Sequence, residues 1–174
     1  MSLLVVAYPS LSAQDAAWLQ AIRQKYGELE HSALPPHFTF VFPLSTVEED
    51  SLRAHVKVQA MSYGRIEFTL RSSLLVKDDS MERYHVVLVP DEGLSRIVKL
   101  HDKLYTGVLA ASLRLDIAFI PHITIGYSGN APACKAIVDS INSEAFEVQG
   151  AIHTLSIVQK TENEIRTIAQ IELG

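Results

Sequence analysis

The chain has 174 residues, 48% of them hydrophobic and 20% charged, and carries a formal charge of −5 at pH 7. This composition excludes a disordered chain. An acidic balance without three consecutive Lys or Arg suits a short nucleotide or the end of an RNA better than a long duplex, where phosphate neutralisation supplies much of the affinity.

Cys134 is the only cysteine, which rules out an internal disulfide and a cysteine-rich zinc site and makes a reducing, cytoplasmic location the default. Leu3 to Tyr8 reads as a buried strand closed by Pro9. The apolar start, Met1 to Ala7, is too short for a membrane span and lacks the basic leader of a signal peptide. Ser12, with Asp15 three residues on, caps a helix whose Trp18, Leu19, Ile22 and Tyr26 recur at helical spacing until Gly27 ends it. Leu34-Pro35-Pro36 forces an extended approach to a strand at His37, since residues before proline avoid the helical region. Ser45 and Glu48 form a capping box for a helix to about Ala60. Arg65 to Val76, rich in Phe, Thr, Leu and Val, reads as a long or bent strand before a turn at Lys77-Asp78-Asp79-Ser80.

The order then repeats. Tyr84 to Val89 is a strand closed by Pro90, as the first was by Pro9, and Asp91 caps a helix with an apolar stripe of Leu94, Ile97, Val98, Leu104 and Val108. A strand starts at His122. A helix from about Ala131 to Asn142, capped by Asn130, leads to two last strands, Phe146 to Val158 and Ile165 to Leu173. One β-α-β-α-β unit is thus written twice. It predicts an α+β fold with pseudo-twofold symmetry, a single bilobal domain with duplicated lobes of roughly 1–78 and 80–174. Two mainly antiparallel sheets, free to exchange strands, would line a central cleft with the helices outside.

The two units share one phrase, Pro36-His37-Phe38-Thr39-Phe40 and Pro121-His122-Ile123-Thr124-Ile125. Side chains alternate across a strand, so His37 and Thr39 face one way, as do His122 and Thr124. Phe38, Phe40 and Phe42, with Ile123, Ile125 and Tyr127, fall on the opposite face, against the helices. Two imidazoles and two hydroxyls around one pocket suit acid/base chemistry on a phosphoester. One histidine takes a proton from water, the other protonates the departing sugar oxygen, and the hydroxyls donate to the non-bridging oxygens. Zinc is a poor match, because neither phrase sets a carboxylate beside its histidine and Thr is a poor ligand, so no metal or cofactor is expected.

His-Phe-Thr-Phe and His-Ile-Thr-Ile match a paired His-x-Thr-hydrophobic signature, and the chain resembles the two-histidine (2H) phosphoesterase superfamily, which includes cyclic phosphodiesterases and the so-called 2′,5′-RNA ligases. The resemblance covers nearly the whole chain. It implies a two-lobed fold with a central cleft and metal-independent chemistry on RNA-derived or nucleotide phosphoesters. It carries catalytic roles onto His37, Thr39, His122 and Thr124, with His122 activating water and His37 protonating the leaving group. A near-symmetric site does not itself fix that division. A 2′,3′-cyclic nucleotide or an RNA terminus is then the expected substrate and partner, for a monomer that meets neither membrane nor long duplex. The rival readings are a non-catalytic binder of nucleotides or RNA ends, and end-joining, the reverse of diester hydrolysis.

Tyr8, Phe42, His85 and Tyr127 are candidate substrate-binding residues. His85 lies on the strand that mirrors Leu3 to Tyr8, on the face that parity gives Tyr8. Phe42 and Tyr127 each sit five after a histidine, where a twist would swing a ring over a base. Core or edge packing is the competing reading for all four. Arg71, Lys77, Arg83, Lys160 and Arg166 read as solvated surface rather than phosphate ligands. His31, His55, His101 and His153 have no motif around them and read as surface or structural.

Overall fold

In the computed structural model, which describes residues 1–26, 29, 34–78 and 82–174, the first strand, β1 (Ser2–Ala7), is buried on both faces. That explains why its sequence is a continuous apolar run rather than an alternating one. A two-residue strand, β2 (Ser10–Leu11), leads into helix α1 (Ala13–Lys25), whose first turn is closed by the Asp15 amide donating to Ser12 Oγ at 3.0 Å. Leu19 faces the core, and Trp18 stacks on Phe146 at 5.0 Å. The helix stop placed at Gly27, the reading of His31, and the turn residues Asp79 and Ser80 lie outside the described residues.

The remaining elements are β3 (Phe38–Leu44), α2 (Glu49–Ala60), β4 (Ile66–Asp78), β5 (Arg83–Glu92), α3 (Leu94–Leu104), a 3₁₀ turn over Gly107–Ser112, β6 (Ile123–Ser128), α4 (Ala131–Asn142), β7 (Val148–Ile152), β8 (Thr154–Lys160) and β9 (Ile165–Glu172). They build two antiparallel sheets, ordered β3-β1-β8-β9 and β6-β5-β4-β7-β2. Read from the motif strand inward, the sheets correspond position by position: β3 with β6, β1 with β5, and β8 with β4. Each half therefore sends a strand into the other half's sheet, β4 pairing with β5 and β8 with β1. This reciprocal exchange is the physical form of the duplicated sequence. One apolar core holds Phe38, Phe40 and Phe68 with the buried faces of all four helices. Among the described residues no helix is long and apolar enough to cross a membrane.

Several local expectations are corrected. The Ser45/Glu48 capping box does not form: α2 starts later, with Glu48 at its N-cap and no side-chain cap bond. Val47 and Leu52, flanking that start at the positions of a hydrophobic staple, both join the core. Pro90 does not end its strand. It sits within β5 at a slip in the β4–β5 register, where an absent N–H is tolerated. Asp91 does not cap α3, because its carboxylate is engaged by Arg71 at 2.9 Å and by the Glu92 amide at 2.8 Å. Gly93 starts that helix instead, in a left-handed conformation (φ 82°). Val108 lies past the end of α3 and is 54% exposed. Finally, the single strand expected over Phe146–Val158 is two, broken at His153, with β7 pairing β4 in one sheet and β8 pairing β1 in the other.

Gly93 cannot carry a side chain. A Cβ there would lie 2.3 Å from the Glu67 carbonyl oxygen, at a φ that other residues rarely adopt. Gly93→Ala should lower unfolding stability by about 2 kcal/mol or more, seen as a reduced urea midpoint at unchanged slope.

Candidate active site

His37 and His122 each stand one residue ahead of a strand and one residue after a proline. Proline fixes its own φ and holds the preceding residue extended, which aims that residue's carbonyl at the imidazole two positions on. The result is the same bond twice. His37 Nδ1–H donates to the Pro35 oxygen at 2.7 Å, and His122 Nδ1–H donates to the Ile120 oxygen at 2.6 Å. A carbonyl can only accept, so each Nδ1 carries the proton and each Nε2 is left for chemistry, as an acceptor when the ring is neutral and a donor when it is charged.

Burial pushes both imidazoles below the ordinary histidine value, and in each the carbonyl bond pulls partly back up. At His37 the Arg23 guanidinium adds a further downward push. At His122 the charges of His85 and His37 do the same. The two motif histidines, from opposite halves of the chain, thus lie within electrostatic reach of each other.

Residues opposed in an antiparallel pair share a face. Val6 opposes Thr39 and Val87 opposes Thr124, so the threonines lie on the sheet faces turned away from the main core. Both are half-buried, and neither hydroxyl has a hydrogen-bond partner among the described residues. On the four-stranded sheet that face carries a separate apolar cluster of Leu4, Val6 and Val158, joined by Tyr8, Leu34 and Ile165.

Simple alternation misplaces Phe42 and Tyr127. Between Val5↔Val41 and Val6↔Thr39 the register skips Phe40, and between Val86↔Gly126 and Val87↔Thr124 it skips Ile125. A bulge therefore follows the threonine in both motifs, one extra residue re-phases the strand, and Phe42 and Tyr127 return to the histidine face. Phe38, Phe40, Ile123 and Ile125 do pack in the core.

The four outlying candidates occupy different surroundings. Tyr8 meets His37 edge-on at 6.2 Å. His85 opposes Tyr127, with ring centroids 5.3 Å apart, and Arg83 lies over the same tyrosine ring at 4.9 Å. His85 Nε2 is buried without a hydrogen bond, 3.7 Å from Asp78, and burial lowers the proton affinity of this ring. Phe42 is half-buried, and its amide donates to Tyr105 Oη at 3.0 Å. Because Val6 corresponds to Val87, the counterpart of His85 is Leu4 and that of Tyr8 is Val89, so the two halves of the site differ.

Sequence reasoning missed Arg23, and it read His101 as surface or structural, of which the second holds. Arg23, on α1, belongs to no motif. His101 is buried on α3, where its ring stacks on Phe119 at 3.5 Å, three residues ahead of His122. With Tyr105 on the Phe42 amide, one helix end touches the first motif strand and the approach to the second. Of the other cations, Arg71 binds Glu147, Asp91 and Glu92, and Arg166 binds Gln159. His55 donates to the Leu104 oxygen and His153 is exposed. Among the described residues no three histidine, cysteine or carboxylate side chains are grouped to hold a metal ion.

The sequence profile of the 2′-5′ RNA ligase superfamily matches residues 9–164. A Bacillus licheniformis protein with a provisional phosphoesterase name is 29% identical over 123 residues, 70% of this chain and 68% of that protein. The fold resembles a crystal structure from Thermus thermophilus, with TM-score 0.68 and 15% identity, covering 99% of this chain and 98% of that one. It also resembles E. coli LigT, with TM-score 0.58 and 16% identity, covering 98% of this chain and 96% of that one. LigT has further structures with phosphate, 3′-AMP, ATP and NADP+.

His37, His85, His101 and His122 are all depressed by burial. Between their folded values and the unfolded value near 6.5, the unfolded chain binds more protons, so stability falls on acidification and returns as pH rises. The melting temperature should be lower at pH 5.5 than at pH 7, by about 2–4 °C for each kcal/mol lost. Calorimetry in phosphate-free buffer checks this, and an unchanged or higher value at pH 5.5 would contradict neutral buried imidazoles.

Proposed function

Since the chain belongs to the 2′-5′ RNA ligase superfamily, we propose that it is a metal-independent phosphoesterase acting on a 2′,3′-cyclic phosphate or a phosphodiester of a nucleotide or RNA end. The observation that carries this reading is the pair of imidazoles, each locked by the same Nδ1–carbonyl bond so that Nε2 is free, with the charge of His37 felt at His122. The ligands of LigT, all phosphate-bearing, support a nucleotide-type substrate.

In the proposed reaction neutral His122 Nε2 takes a proton from water as its oxygen bonds to phosphorus. The bond from phosphorus to the sugar oxygen breaks, and that oxygen receives the proton of charged His37 Nε2. Exchange with solvent then resets the two rings. Arg23 suits His37 to the acid role as a permanent positive charge that makes its imidazolium a stronger acid, whereas the charges facing His122 belong to rings that themselves titrate. Thr39 and Thr124, with uncommitted hydroxyls, donate to the non-bridging oxygens as charge builds there.

The test is hydrolysis of 2′,3′-cyclic nucleotides and of RNA ending in a cyclic phosphate, with chelator present. His37→Ala and His122→Ala should each lose about 10²–10⁴ in kcat. Thr39→Val and Thr124→Val should lose about ten- to hundredfold, the worth of one hydrogen bond to a charged oxygen. Full activity in the double alanine variant would overturn the assignment.

The pH profile is a separate check. Activity needs one charged and one neutral ring, and both proton affinities lie below the usual 6.5, so kcat/KM should fall from pH 6 to pH 8. A profile flat across that range would rule out the histidine pair as acid and base.

A further inference from the structure

A cavity of about 1280 Å³ opens beside His37 and shares with its approach Tyr8, Pro35 and Pro36. The motif histidines and threonines are not part of its lining, so it is a space adjacent to the reacting groups, not the reaction centre itself. Arg23, Gln20 and Gln24 of α1 form one wall, and the turn joining β8 to β9 forms the other. Its charged lining comprises Arg23, Lys160 and Arg166 against Glu162 and Glu164, an excess of one positive charge.

Arg23 differs from the other arginines. Each of those has a hydrogen-bond, ion-pair or ring partner. Arg23 is half-buried, has no hydrogen-bond or ion-pair partner among the described residues, and is less readily protonated because of its burial. A guanidinium withdrawn from water without an acceptor is costly, and its five donors in a planar fork match a phosphate. Its charge also registers at His37, so an anion bound to it would lie a short step from the reacting phosphorus.

We infer that Arg23 and this cavity form a second anion subsite, which holds a phosphate of the substrate other than the one undergoing reaction. The inference rests on the phosphoesterase reading for what occupies the cleft. Two sources supply such a group, the 5′-phosphate of a mononucleotide and the internucleotide phosphate of an oligonucleotide.

The experiment is calorimetric titration at low ionic strength of the wild-type chain, Arg23→Gln and Arg23→Lys with three probes: 3′-AMP, adenosine 3′,5′-bisphosphate, and the dinucleotide ApA bearing a 3′-phosphate. In the wild type a probe with a second phosphate should bind about ten- to hundredfold tighter than 3′-AMP. Arg23→Gln should remove most of that advantage, and Arg23→Lys should restore part of it by returning the charge without the fork. An Arg23-dependent gain confined to the bisphosphate identifies a terminal monoester as occupant, and one confined to the dinucleotide identifies an internal diester. Equal affinity for all three probes, or an advantage that survives Arg23→Gln, would overturn the subsite even if cyclic nucleotides are hydrolysed. Because the readout is binding, absence of turnover would count against the phosphoesterase reading alone.

Discussion

The reciprocal exchange of β4 and β8 is the constraint on which the molecule depends. β4 takes both of its ladders, β5 and β7, from the other half, and β8 joins β1 of the other half on one side and its own hairpin partner β9 on the other. Neither half can complete its sheet alone, so the chain folds with both halves joined or leaves buried backbone groups unpaired. The same exchange sets the motif strands β3 and β6 at equivalent edges of the two sheets. Relating the two imidazoles is therefore a consequence of backbone pairing, and no separate device is needed to bring the halves together.

Finer placement comes from short, stiff contacts. A proline before each histidine and a carbonyl on each Nδ1 remove the freedom of the ring, and a bulge after each threonine returns an aromatic residue to the same face. The end of α3 adds a common anchor, with Tyr105 on the first motif strand and His101 beneath the approach to the second. A buried histidine without a motif thus serves geometry and not proton transfer, in keeping with its near-complete burial.

What could be read from the sequence was local or repeated. The duplicated order of elements, the His-x-Thr phrases and the Ser12 and Asn130 caps are each written within a few residues, and each is present. What could not be read depends on partners far along the chain. Asp91 looks like a helix cap until Arg71 claims its carboxylate, and Phe146 to Val158 is uniformly strand-like although its two halves pair with different sheets. Bulges at Phe40 and Ile125 leave no mark in composition, so counting alternate residues put Phe42 and Tyr127 on the wrong face. Arg23 was invisible because nothing near it in sequence distinguishes it from any helix arginine.

Two copies of one unit related by a dyad are equivalent, and two identical arms give no reason to prefer one polarity over its reverse. Here Leu4 stands where the other half has His85, and Val89 where it has Tyr8, while Arg23 biases only one imidazole. These departures lift the degeneracy. The two ends of the cleft are no longer interchangeable, a polarity that a perfect dyad would forbid.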